Sequence, residues 1–171
     1  MTDFTLATAA DVFPSGGEDT AGNDRITALG GADQIHGGDG HDAINGGTEA
    51  DTLFGDAGDD TPDAGLLPVQ DVLDGGSATD LVVLDYQNVI NLATHLSVRV
   101  VANFSTGSWA TLVDGFTGAT VMNFERISIT SGNAGDVMVG GVGDDTLTSL
   151  GGTDRLDGGD GDDQVAKTWG H

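Results

Sequence analysis

Gly37-Gly38-Asp39-Gly40-His41-Asp42-Ala43-Ile44-Asn45 decides the reading of this chain. Its frame is G-G-x-G-x-D-x-U-x, with U a large apolar residue. The frame recurs from Gly140 to Leu147 (GGVGDDTL) and from Gly158 to Val165 (GGDGDDQV). Asp is the phased residue. Asp24, Asp33, Asp42, Asp51 and Asp60 stand nine apart, and so do Asp136, Asp145, Asp154 and Asp163. Six Gly-rich residues make a turn, because Gly takes positive φ without a Cβ clash. The three residues x-U-x make a short strand with one side chain pointing inward. Two repeats, 18 residues, then close one coil of a flattened parallel helix. The inward column is Ile26, Ile35, Ile44 and Leu53, and later Met138, Leu147, Leu156 and Val165.

Coils stack at the strand spacing, about 4.8 Å, so Asp residues 18 apart lie one above the other. Two bare carboxylates about 5 Å apart repel by roughly 3 kcal/mol at an effective dielectric near 20. A calcium ion bonds oxygen at about 2.3–2.6 Å, so two such bonds in line span the coil spacing. Carboxylates and turn carbonyls are hard oxygen donors, which suit calcium over zinc or copper. One inward residue per nine is a thin core, so metal binding is expected to supply much of the folding free energy.

The chain has 171 residues, 28 of them acidic and 5 basic, for a net charge of -23. That charge argues against nucleic-acid binding and against attraction to acidic membranes. Only Glu18, Glu49 and Glu125 among the acids are Glu, and phasing of the Asp residues with Gly argues against a disordered acidic tract. There is no cysteine and hence no disulfide framework. No signal peptide is visible after Met1, and no apolar run reaches membrane-spanning length.

Residues 1–18 read as a leader and cap, 19–82 as a first repeat block, 83–131 as a β-rich aromatic insert, 132–166 as a second block and 167–171 as a tail. Pro62 stands where an inward residue belongs, and Asp71 follows Asp60 by eleven residues. The spacing predicts a bulged turn over 62–70 with two extra residues, after which Asp71 and Asp80 resume the ladder. Glu49 and Ala78 replace the Gly in the second half of their turns. Within the insert, Leu81–Tyr86, Val98–Phe104, Trp109–Val113 and Val121–Thr130 read as strands. Tyr86, Phe104, Trp109, Phe116 and Phe124 are expected to form a larger apolar core there. Ile129, nine before Met138, is expected to lie already in the register of the second block.

These features resemble the RTX (repeats-in-toxin) family of hemolysin-type calcium-binding repeats. The resemblance covers about residues 19–82 and 132–166. It implies an all-β fold, a right-handed parallel β-roll in two blocks with an intervening β-rich segment. It implies calcium between coils, held by Asp24, Asp33, Asp42, Asp51, Asp60, Asp136, Asp145, Asp154 and Asp163, with Asp71 and Asp80 beyond the insertion. It also implies carbonyl ligands from Gly37, Gly38, Asp39 and Gly40, from Gly140, Gly141, Val142 and Gly143, and from Gly158, Gly159, Asp160 and Gly161. About seven ions are expected, at the pairs 24/42, 42/60, 60/80, 33/51, 51/71, 136/154 and 145/163. The family is exported by Gram-negative bacteria through a type I system and folds in external calcium. That implies a secreted or cell-surface module, alone or as a piece of a longer exoprotein.

No H-E-x-x-H or G-x-S-x-G motif occurs, and no catalytic residue is assigned. Asp154–Asp163 has a faint likeness to an EF-hand loop but lacks the closing Glu and flanking helices. His36 and His41 read as solvated turn residues, and His95 gives no signal of its own. Asp59/Asp60, Asp144/Asp145 and Asp162/Asp163 read as one ligand beside one exposed turn residue. The rival function is an adhesin or glycan-binding surface on 83–131, or an accessory module of an exoenzyme.

Overall fold

The computed structural model describes residues 1–14, 21–65, 71–85, 90–91, 96–97, 101–103 and 120–168. Among them there is no helix. The strands are short because Gly-rich turns interrupt them every nine residues, and they build two opposed walls of a solenoid. One wall is an eight-stranded sheet of β1 (Thr2–Thr5), β3 (Asp24–Thr27), β5 (Ala43–Asn45), β7 (Thr61–Asp63), β9 (Leu81–Asp85), β14 (Arg126–Thr130), β16 (Thr146–Ser149) and β18 (Gln164–Lys167). The other wall contains β2 (Val12–Phe13), β4 (Gln34–Asp39), β6 (Thr52–Ala57), β8 (Val72–Asp74) and β13 (Thr120–Met122) as a five-stranded sheet. A three-stranded sheet joins β12 (Val101–Asn103), β15 (Val137–Val139) and β17 (Arg155–Asp157). Every pairing in these walls is parallel, as a coil that always advances in one direction requires. The short hairpin of β10 (Ile90–Asn91) and β11 (Leu96–Ser97) is antiparallel.

Register follows the repeat. Ile26 faces Ile44, Ile35 faces Leu53, Met138 faces Leu156 and Leu147 faces Val165. Ile26, Ile35, Ile44, Leu53, Leu73, Val82, Leu84, Ile127, Ile129, Met138 and Leu147 are fully buried. Each such side chain contributes about 1.5–3 kcal/mol by leaving water. At the far end the column opens: Leu156 is partly buried and Val165 is 47% exposed.

The leader is itself a coil. Thr2–Thr5 pair with Asp24–Thr27, and Val12 and Phe13 pair with Gln34 and Ile35. Phe4 and Phe13 meet at 4.8 Å between ring centroids and close the apolar column at that end.

The insertion begins later than the spacing suggests. Pro62 is not part of a bulge; it lies buried in β7, opposite Ile44. Proline has no N–H to give to a ladder, and β7 pairs with β9 only at Asp63↔Val83. The two added residues follow Asp63, because Asp51 bonds Asp71 at a separation of 20 where Asp42 bonds Asp60 at 18. Residues 66–70 lie outside the described residues.

Expected strand Val121–Thr130 is two strands. Asn123 takes φ +56° and turns the chain from β13 on one wall to β14 on the other. Arg126–Thr130 pair with Leu81–Asp85, so the chain leaves the first wall after Asp85 and returns beside the strand it left. Ile129 faces Leu147, in the register of the second block. Phe124 packs against the solenoid core. Trp109–Val113, Tyr86, Phe104, Phe116 and His95 lie outside the described residues.

Candidate metal centre

Each phased Asp ends a turn and begins a strand, so its side chain sits at the edge where successive coils meet. There its Oδ1 accepts a backbone N–H from the coil before, that of an acid in most cases, of Thr2 at Asp24 and of Ile127 at Asp145. Asp24 N–H donates to Asp42 Oδ1 at 2.7 Å, Asp42 to Asp60 at 2.8 Å and Asp60 to Asp80 at 2.8 Å. On the other edge Asp33 donates to Asp51 at 2.9 Å and Asp51 to Asp71 at 2.8 Å. In the second block Asp136 donates to Asp154 and Asp145 to Asp163, both at 3.0 Å. One oxygen of each carboxylate is therefore committed to the backbone.

The second oxygen is left over in the first block. Oδ2 of Asp24, Asp33, Asp42, Asp51, Asp60, Asp71 and Asp80 is shielded from water and has no hydrogen-bond partner among the described residues. A buried acceptor without a partner costs about 1–3 kcal/mol, and more when charged. Burial pushes the Asp51 carboxyl up to about 6 and those of Asp60 and Asp71 up to about 7; the ladder N–H opposes this and neighbouring carboxylates add to it. Asp33, Asp42, Asp80 and Asp145 are raised by the same burial.

The spare oxygens of Asp42, Asp51, Asp60 and Asp80 point at the glycine five residues earlier, whereas Asp33 has Ala28 at that place. A Cβ on Gly37 would stand 2.6 Å from Asp42 Oδ2 and 2.7 Å from the Gly55 carbonyl oxygen. Gly46 and Gly55 hold the same place for Asp51 and Asp60, each with 2.6 Å to Oδ2. Glycine at these positions lets a carboxylate oxygen approach the turn backbone closely. Gly38 and Gly40 both take positive φ, as do Gly159 and Gly161. Glu49 and Ala78 are forced into positive φ at +83° and +109°, where other turns use Gly. Among the described residues no three acidic or histidine side chains gather at one point. Side-chain donors come singly from each turn, and an ion there would need carbonyl oxygens as well. Hard, anionic and desolvated donors of this kind fit calcium.

The second block differs. Asp145 Oδ2 accepts from Gly141 N–H at 2.7 Å. Asp136 Oδ2 and Asp154 Oδ2 accept from the hydroxyls of Ser131 and Ser149 at 2.6 and 2.8 Å. Asp160 and Val142 are exposed, and Gly141 O accepts from Asp160 N–H at 3.1 Å.

Four contributors escape the nine-residue spacing. Asp11 extends the ladder into the leader, donating to Asp33 Oδ1 at 2.7 Å from 22 residues away. Glu125 takes a ladder place after the long excursion, accepting Asp80 N–H at 2.9 Å across 45 residues. Ser131 and Ser149 stand five before Asp136 and Asp154, where the frame has Gly, so their position was readable in the sequence.

The residues before the phased Asp are not idle. His41 N–H donates to Asn23 Oδ1 at 3.1 Å, Asp59 N–H to His41 Nδ1 at 2.9 Å and Thr79 N–H to Asp59 Oδ1 at 3.0 Å. Asp162 N–H likewise donates to Asp144 Oδ1 at 2.9 Å. These form a second, outer ladder of the opposite sense. His36 lies in β4 rather than a turn, 3.0 Å from Asp56 and stacked on Phe54 at 4.4 Å.

The sequence profile of the RTX calcium-binding nonapeptide repeat matches in four copies, over residues 18–49, 39–66 and 130–165. The chain carries RTX calcium-binding repeats. No curated protein matches it. The matched stretches contain both repeat ladders. Asp71 and Asp80 fall outside them, yet hold their ladder bonds at the same 2.8 Å as Asp60. Wall topology and repeat together make the molecule a calcium-binding parallel β-roll module.

Proposed function

We propose that this RTX module is secreted and folds on binding external calcium, with ions held along both edges of the first block. The ligands are Oδ2 of Asp24, Asp33, Asp42, Asp51, Asp60, Asp71 and Asp80, joined by turn carbonyls such as Gly37, Gly38, Asp39, Gly40 and Gly55. Asp145 with Asp163 forms a further site beside Gly140–Gly143 and Gly158–Gly161. One observation carries this reading: seven consecutive phased carboxylates each bury an oxygen that no group among the described residues bonds. A divalent ion would satisfy those oxygens and offset the like charges. A net charge of -23 opposes compaction without it. Export agrees with this, because calcium is plentiful outside cells. Among the described residues no helix is long and apolar enough to cross a membrane. The module's chemistry is metal-coupled folding, with no catalytic residue.

Far-ultraviolet circular dichroism in EDTA and in millimolar calcium, with metal analysis of the desalted protein, tests it. The β signal should rise cooperatively with calcium, and several ions should remain bound. Identical spectra and no retained calcium would remove the proposal.

A further inference from the structure

We infer that the turn row of Asp136 and Asp154 is closed by the chain's own donors and takes no calcium, so that the two edges of the second block differ. The inference rests on the calcium reading of the first block. Asp136 and Asp154 obey the ladder rule, with N–H to Oδ1 at 3.0 Å. They depart from the first block at the other oxygen. Where Asp42, Asp51, Asp60 and Asp80 are preceded at five residues by Gly37, Gly46, Gly55 and Gly75, these two are preceded by Ser131 and Ser149. Both serines are fully buried. Ser131 donates its hydroxyl to Asp136 Oδ2 at 2.6 Å, and Ser149 donates to Asp154 Oδ2 at 2.8 Å. The oxygen that is left without a partner from Asp24 to Asp80 is here bonded by a side-chain hydroxyl, whereas on the other edge of this block Asp145 Oδ2 meets only the Gly141 N–H, with Gly140 in place of the serine.

Three carbonyls of the Ser149–Asp154 turn are bonded as well. The Thr168 hydroxyl donates to Leu150 O at 2.9 Å, and Thr168 N–H donates to Ser149 O at 2.9 Å. The Lys167 ammonium donates to Asp154 O at 2.7 Å. An ion entering this turn would have to break two or more of these bonds and sit near the Lys167 ammonium. A hydroxyl bonded to a buried carboxylate is a charge-assisted bond and one of the stronger kinds. The serines therefore supply locally what the ion supplies elsewhere, and the same ladder geometry is kept without metal.

Metal analysis of the full chain, saturated with calcium and desalted, tests this on the parent, Asp42→Asn and Asp154→Asn. The expected result is one to two ions lost with Asp42→Asn and none lost with Asp154→Asn. Loss of an ion with Asp154→Asn overturns the inference. Should Asp154→Asn fail to fold, the parent decides the matter in a calcium-loaded crystal. Anomalous density at the first-block turns with none between Asp136 and Asp154 supports the inference, and a peak at that row overturns it. A parent that retains no calcium at all overturns instead the function proposed above.

Discussion

Asp42→Asn compared with Asp24→Asn tests the ladder on two closely matched members. The two carboxylates are equally buried, at 2% and 3% exposed. Each accepts one backbone N–H, from Asp24 at 2.7 Å and from Thr2 at 3.0 Å. Asn keeps an oxygen that can accept that bond, so the backbone ladder survives both changes. What differs is the number of acidic neighbours: Asp42 lies between Asp24 and Asp60, whereas Asp24 has an acid on one side only. Loss of Asp42 should therefore disturb two ions and loss of Asp24 one. At free calcium about a hundredfold above the site dissociation constant, each ion stabilises the fold by about 2.7 kcal/mol. The Asp42 variant should lose about 5 kcal/mol and the Asp24 variant about 3, a gap of roughly 2 kcal/mol or more. The end coil can also fray without its neighbours, which widens the gap. Urea unfolding in saturating calcium, followed by circular dichroism, measures both losses. Equal losses, or an Asp42 variant as stable as the parent, would refute the shared-ligand ladder.

Glu49→Gly and Ala78→Gly relieve positive φ at +83° and +109° and should each stabilise the calcium-loaded fold by about 1 kcal/mol, read as a higher urea midpoint. An unchanged or lower midpoint would show that these turns are not strained. In EDTA, acidification from pH 8 to 5 should increase residual β structure. Asp51 is raised to about 6 and Asp60 and Asp71 to about 7, so between about 4 and 7 the folded chain holds more protons than the unfolded one. Metal-free stability is then gained on acidification and lost as pH rises through 7. In calcium the sign reverses, because protons compete for the same oxygens, and the calcium midpoint should rise from pH 8 to 6. A β signal in EDTA that falls over pH 8 to 5 would contradict this.

The wall topology was legible wherever the period held. Asp24–Asp60 and Asp136–Asp163 set strand register directly, since a nine-residue repeat places Ile26 under Ile44 and Met138 under Leu156. Pro62 misled because it lacks an N–H, but a buried ring fills an inward position as well as Ile44 does, and the lost donor shows only in the thin β7–β9 pairing. The leader was hidden because its coil is 22 residues from the next and has no Gly-rich turn of the frame. Glu125 could not be found by spacing, since 45 residues separate it from its partner. The candidate ligands were legible as residues but not as atoms. Spacing predicts stacked carboxylates; it does not reveal that one oxygen of each is spent on the backbone, nor that serines bond the other at Asp136 and Asp154.

The central claim is that the spare Oδ2 oxygens hold calcium. Anomalous diffraction from a calcium-loaded crystal of the whole chain tests it atom by atom. Peaks are expected within bonding distance of Oδ2 of Asp42, Asp51 and Asp60, each also near carbonyl oxygens of the neighbouring coil. Well-ordered Asp42, Asp51 and Asp60 turns without anomalous density, in a crystal grown from millimolar calcium, would contradict it.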